Sequence, residues 1–282
     1  MSLTDPPRFA MSRTMPTASR TPLRVFDAPE SAGAHAATET LARLERAARR
    51  GAMTLGCPGG RSLRTTYAAL ARLFGERRVD LSNLHVVMMD EYVEARGERW
   101  ASCPTDAHYS CRGFGETAIR QVFNAALPAA LRMPAHHVHA PDPNSPHDYE
   151  ALVDRLGGID VFLLASGATD GHVAFNPQGT ALGETTRVVE LSEATRRDNL
   201  GTFPRFRGLS EVPRFGVTVG PGTIARHSRA AIMVLLGSGK GTALRRISRS
   251  LAYDRDWPAS VVVACADAQL IADEAAVAAA GI

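Results

Sequence analysis

From Leu23 onward, short apolar runs alternate with longer stretches whose apolar residues recur at helical spacing. The runs Leu23–Phe26, Met53–Gly56, Leu84–Met89 and Val161–Ala165 predict strands, as do Phe215–Val219, Ala230–Leu236 and Ser260–Ala264. Between them, Ser31–Arg50 carries Ala37, Leu41, Leu44 and Ala48 on one helical face, and a second helix runs through Thr66, Ala69 and Leu73. Further helices are expected over Tyr109–Phe123 and Tyr149–Leu156, and in patterns that begin at Pro221, Lys240 and Asp267. The stretch Val93–Ala107 reads as loop. This alternation predicts an α/β fold: a single doubly wound, mostly parallel sheet with helices on both faces, Rossmann-like. There is no internal repeat and no linker, so residues 23–282 form one domain. Residues 1–22 are rich in Pro, Ser, Thr and Arg and are expected to be a disordered tail, or an extension upstream of a start at Met11 or Met15. They lack the apolar centre of a secretory signal, and a transit peptide is the lesser reading.

Composition narrows the class of partner. A net charge of +3 with scattered arginines leaves no basic stripe for nucleic acid, and no apolar run approaches the ~20 residues of a membrane span. Four cysteines, Cys57, Cys103, Cys111 and Cys265, show no paired spacing, so a reduced, cytoplasmic compartment is expected. His136, His137 and His139 have no acidic or cysteine companions and read as a strand end or loop rather than a metal site. No metal and no cofactor is called for.

In an open α/β sheet, ligands bind at the carboxyl ends of the strands. The chemistry-bearing residues collect there. Gly59-Gly60-Arg61-Ser62 lies between a strand and a helix, where backbone N–H groups and a helix N-terminus favour an anion, and Ser62 is placed to cap that helix or bond a phosphate. Asp90 and Glu91 end the third strand as adjacent carboxylates, one of which should face ligand. Asp170-Gly171-His172 follows the apolar run Val161–Ala165 and supplies an acid–base pair. Arg196 and Arg197 can clamp an anion, and Lys240 adds a point charge after the strand ending at Leu236. Together they point to proton transfer on a small phosphorylated molecule.

In this order, the elements Gly59-Gly60, Asp90-Glu91-Tyr92, Asp170-Gly171-His172-Val173-Ala174-Phe175-Asn176, Thr195-Arg196, Thr218-Val219-Gly220 and Gly237-Ser238-Gly239-Lys240 resemble the glucosamine-6-phosphate deaminase/isomerase family. Its superfamily is shared with the 6-phosphogluconolactonases. The resemblance runs from about Leu23 to the end and implies the fold of that type. It implies conversion of glucosamine 6-phosphate, or a close analogue, to fructose 6-phosphate and ammonia. Asp90 would take the C2 proton, His172 with Asp170 would assist ring opening, and Gly59, Gly60, Arg61, Ser62, Glu91, Arg196 and Lys240 would bind substrate. A lactone hydrolase, or a sugar-phosphate binder without catalysis, are the alternatives; Tyr92 speaks against the lactonases, which usually carry arginine there. The expected partner is a small phosphorylated sugar, with a homo-oligomer left open.

Three departures stand out. The family usually continues Phe-Asn-Glu-Pro, and here Pro177 removes the carboxylate implied to support His172. Arg61 stands where the deaminases usually carry a small hydroxyl residue. Of a basic pair that serves allostery in some bacterial deaminases, Arg187 remains and Val189 replaces the lysine.

Overall fold

The computed structural model describes residues 12–19 and 21–282. Its main sheet has eight strands. Seven are β2 (Leu23–Phe26), β3 (Met53–Cys57), β4 (Leu84–Met88), β7 (Val138–His139), β8 (Val161–Leu164), β11 (Ala231–Leu235) and β12 (Ala268–Asp273). These run parallel, in the order β2-β12-β11-β8-β3-β4-β7. Successive side chains enter opposite cores, as a sheet covered on both faces requires. In β11, Ile232 and Val234 pack with the helices Pro29–Ala48 and Arg64–Arg77, whereas Ala231, Met233 and Leu235 pack with the helix Gly241–Arg249. The strand order reverses between the paired strands β3 and β8, so the chain leaves their carboxyl ends toward opposite edges of the sheet, where a crevice is expected.

The first strand, β1 (Ser12–Met15), pairs antiparallel with β2 at the edge. It corrects the expected tail of residues 1–22 from Ser12 on; residues 1–11 and 20 lie outside the described residues. A polar run such as Ser12–Met15 carries no apolar periodicity. It is held by backbone pairing, by Arg24 donating to Thr14 Oγ1 at 2.8 Å, and by an ion pair of Arg13 with Glu274.

A second sheet was not foreseen as part of a single-sheet fold. It is antiparallel, in the order β6-β5-β10-β9, from β5 (Asp90–Arg96), β6 (Arg99–Ser102), β9 (Arg187–Glu190) and β10 (Phe215–Thr218). The expected loop Val93–Ala107 therefore contains a hairpin, turning at Gly97 (φ +62°), and Phe215–Thr218 leaves the parallel sheet. The chain passes at Met89 from β4 directly into β5, which places Asp90 at the junction of the two sheets. A second misreading concerns Ser260–Ala264. It winds as a 3₁₀ helix (Pro258–Ala264), and the strand is Ala268–Asp273, within the expected helix from Asp267. A short apolar run does not distinguish the two by pattern. Pro258 in the first turn and the Ala259 N–H bond to Gly171 O (2.8 Å) settle it.

His136, His137 and His139 lie along a turn and β7. His137 and His139 stack on His85, with His85 Nδ1 3.0 Å from His139 Nε2. Burial first, and then the neighbouring imidazoles, bring His85 down to about 4, and burial lowers His137 and His139 as well, so this is a neutral ring stack at neutral pH. No helix among the described residues is long and apolar enough to cross a membrane. All four cysteines are free and buried.

Candidate active site

A cavity of about 660 Å³ opens at the carboxyl ends of β3, β4, β8 and β11. The glycine turn, Asp90, His172 and Lys240 line it together. Tyr92, Phe175 and Phe203 form an aromatic wall.

The Asp170-Gly171-His172 turn builds an acid–base dyad. His172 Nδ1 lies 2.7 Å from Asp170 Oδ1, and the hydroxyls of Ser192 and Thr195 each reach Asp170 Oδ2 at 3.1 Å. Burial opposes the charge of Asp170, but the bonds from His172 and Thr195 and the nearby imidazole overcome it and hold the carboxyl well below its ordinary range. An ionised Asp170 accepts from Nδ1–H and so fixes the imidazole tautomer that presents Nε2 as the free nitrogen. Two backbone features seat the turn. Gly171 takes φ +65° against the face of Trp257, and Gly167 N–H donates to His172 O at 2.7 Å. Ala174, which lines the cavity, is held at φ +50°, a conformation that favours glycine.

Asp90 is 6% exposed and lines the cavity beside Cys111. Burial raises its carboxyl, the Cys111 thiol beside it works in the opposite direction, and Glu91 adds to the rise while His172 lowers it. The result is about 6. A carboxyl poised there is half ionised close to neutral pH and suits proton abstraction.

Glu91 does not face the cavity and is corrected as a substrate-binding residue. It is 0% exposed, and its oxygens accept from Tyr92 N (2.8 Å), Cys111 N (3.0 Å), Arg112 N (2.9 Å), Ser110 Oγ (2.8 Å) and Cys103 Sγ (3.2 Å). Its task is to tie the start of the helix at Cys111 to β5, which fixes the backbone of Asp90. Arg196 is corrected likewise. Its guanidinium turns away from the cavity and donates to Leu209 O (2.6 Å) and Val212 O (2.9 Å), pinning the loop before β10.

The cationic end of the cavity is formed by Arg61 and Lys240. Arg61 extends toward Gly201, where the missing side chain leaves room for the guanidinium. Lys240 Nζ donates to Ser166 O at 2.5 Å, and burial lowers its pKa. Gly60 at φ +88° shapes the turn, and Gly59 approaches Cys111 Sγ too closely for a larger residue to fit freely. Ser62 does not cap the following helix, whose first cap position is Leu63; it lines the cavity instead. The absent family glutamate leaves Pro177, and Gln178 next to it turns out to Asp256 O (3.1 Å). Arg187 donates to Asn176 Oδ1 (3.0 Å) and so braces the end of the His172 segment.

The helix Glu193–Thr202 is what the residue pattern missed. Ser192 caps it, and Thr195, Asp198, Asn199 and Thr202 line or support the site. The Ser192-to-Thr195 cap was readable, but its link to Asp170 needed the fold. Among the described residues, Asp170, His172 and Asp198 are the one group whose metal-ligating atoms lie within 4.8 Å of one another. Asp170 is already fully engaged by His172, Ser192 and Thr195, so a cation there would have to displace those bonds.

The chain is similar to known proteins over most of its length. The family model for glucosamine-6-phosphate isomerases/6-phosphogluconolactonase matches residues 27–272. A glucosamine-6-phosphate deaminase of Rhodococcus opacus (strain B4) is 32% identical over 237 residues, covering 81% of this chain and 82% of the relative. A glucosamine-6-phosphate isomerase of Candida albicans is 27% identical over 258 residues, 89% of this chain and 96% of that protein. Among solved structures, a monomeric glucosamine-6-phosphate deaminase superposes with a TM-score of 0.75 at 25% identity, over 91% of this chain and 99% of that one. The 6-phosphogluconolactonase of Trypanosoma cruzi shares the fold, with a TM-score of 0.65 at 19% identity over 93% and 97% of the two chains.

Proposed function

The chain belongs to the family of glucosamine-6-phosphate isomerases and 6-phosphogluconolactonases, and we propose that within it the protein is an amino-sugar-phosphate isomerase/deaminase. Its substrate is glucosamine 6-phosphate or a close analogue, converted with water to fructose 6-phosphate and ammonia. The observation that carries the reading is Asp90: a buried carboxyl raised to about 6, lining the same cavity as the Asp170–His172 dyad. Hydrolysis of a lactone needs an activated water, whereas isomerisation needs a second, separate base at carbon.

The phosphate docks on the Gly59–Ser62 turn between Arg61 and Lys240. His172 shuttles the proton between the anomeric hydroxyl and the ring oxygen, which opens the ring to the aldehyde. Asp90 removes the C2 proton now acidified by that aldehyde, giving an enolamine. Return of a proton to C1 produces the C2 iminium, and water replaces the nitrogen as ammonia, leaving the ketose. Asp90, His172, Arg61 and Lys240 all line this cavity, and Asp170 stands behind His172.

Ammonia release from glucosamine 6-phosphate, measured beside hydrolysis of 6-phosphogluconolactone on one sample, tests the reading. Lactone hydrolysis without ammonia would overturn it, and binding without either reaction would favour a non-catalytic role. The two arginines separate cleanly. Arg61→Ala is expected to raise KM by about tenfold or more, as loss of a charge-assisted phosphate contact should. Arg196→Ala should leave KM within about twofold and lower stability by about 1 kcal/mol through its lost carbonyl bonds. Steady-state kinetics and denaturant melts of both variants check this.

A further inference from the structure

We propose that Asp198 recognises the ammonium group of the substrate, making the cavity selective for amino-sugar phosphates over their hydroxyl counterparts. This rests on the deaminase reading and adds the residue that sets its specificity. The helix Glu193–Thr202 spans the site from end to end. Thr195, at one end, bonds Asp170, and Thr202 and Gly201, at the other, lie against Gly60 and Arg61. Asp198 falls between these on the same helical face, so it lines the cavity where the body of the sugar must lie.

The charges of the cavity single it out. Asp170 is held by His172, Ser192 and Thr195, Glu91 is fully buried and held by five donors, and Asp90 is the buried base. The Asp198 carboxylate makes no hydrogen bond or ion pair with any described residue, although it lies within 4.8 Å of the ligand atoms of Asp170 and His172. Arg61 and Lys240 face the phosphate, Arg197 at the rim pairs with Glu193, and the charge of Asp198 acts on Lys240 without a bond between them. A sugar phosphate that also carries a cation complements this layout. A hexose phosphate with a hydroxyl at C2, or a phosphorylated lactone, would desolvate Asp198 without pairing it with a cation, which disfavours such ligands. A carboxylate beside the amine favours its protonated form, and an ammonium group on C2 withdraws electrons from the C2–H bond that Asp90 attacks; once that proton has left, the ammonium passes one of its own to the C1 oxygen, which gives the enolamine.

The test is calorimetric binding of two open-chain ligands that differ only at C2, 2-amino-2-deoxy-D-glucitol 6-phosphate and D-glucitol 6-phosphate. The native protein is expected to prefer the amino compound by about tenfold or more, the worth of one charge-assisted bond. Asp198→Asn should reduce that preference to within about twofold while leaving D-glucitol 6-phosphate affinity within about threefold, and Asp198→Glu should keep a preference above about threefold. A preference that survives Asp198→Asn, or an equal loss of both ligands, overturns the assignment. Ammonia release by the native protein is read in parallel. Its absence alongside an intact, Asp198-dependent preference would defeat the deaminase reading alone, and its presence without any preference would defeat the role of Asp198 alone.

Discussion

Asp90→Asn is expected to lower kcat by about 10³-fold, within the range of a positioned acid–base group, while KM changes little. The amide keeps the shape of the carboxyl but cannot take the C2 proton. The same substitution should make the protein more stable at neutral pH. Burial raises Asp90 in the native state from 3.8 to about 6. Below 3.8 both native and unfolded forms carry the proton and the site costs nothing; above about 6 the native form holds an ionised, buried carboxylate, and the full penalty applies. Stability therefore falls as pH rises through that window, and the asparagine variant should regain on the order of 2 kcal/mol at pH 7–8. Activity has the opposite slope, because only the ionised carboxylate is a base: kcat/KM should rise with pH through about 6. A pH–rate profile and thermal melts of the native and variant proteins check both signs. A variant that loses activity and stability together would mark Asp90 as structural.

Gly171→Ala should be the most damaging single methyl group in the site. A Cβ there would stand 2.2 Å from Trp257 Cδ2, and the backbone sits at φ +65°. Trp257 has nowhere to retreat, since it is buried and covered by the Arg246 guanidinium 5.4 Å from its ring. Left-handed strain and overpacking together should cost about 3 kcal/mol or more. Because Asp170 and His172 flank the glycine, any relief of the clash moves the dyad, and kcat should fall by about 10²-fold even where the variant stays folded. Denaturant midpoints with single-turnover kinetics test this. Native-like values of both would show that the Trp257 contact is slack.

Much of the site was legible because it is local. Asp170 and His172 belong to one turn, and the glycines of Gly59-Gly60 announce a backbone that must approach a ligand. Strand ends in an α/β sheet also share one edge, so Asp90, His172 and Lys240 could be expected in one cavity before any geometry was known. Glu91 and Arg196 were misplaced for the opposite reason. Adjacent residues of an extended strand point to opposite sides, so Asp90 and Glu91 cannot both face the cavity, and the choice between them depends on the β5 pairing with β10. Arg196 and Asp198 share a helix, and the seating of that helix, fixed by Ser192 and Thr195 on Asp170, decides which of the two turns inward.

By itself the amino-acid order determined the alternation of strand and helix, the segments that meet at the strand ends and the kinds of chemistry they carry, because periodicity and turn residues act over a few positions. The tertiary structure alone decided the second sheet, the strand at Ala268–Asp273 in place of Ser260–Ala264, and which member of each polar pair faces the cavity. Those outcomes depend on hydrogen bonds and packing between residues far apart in the chain, and no local pattern encodes them.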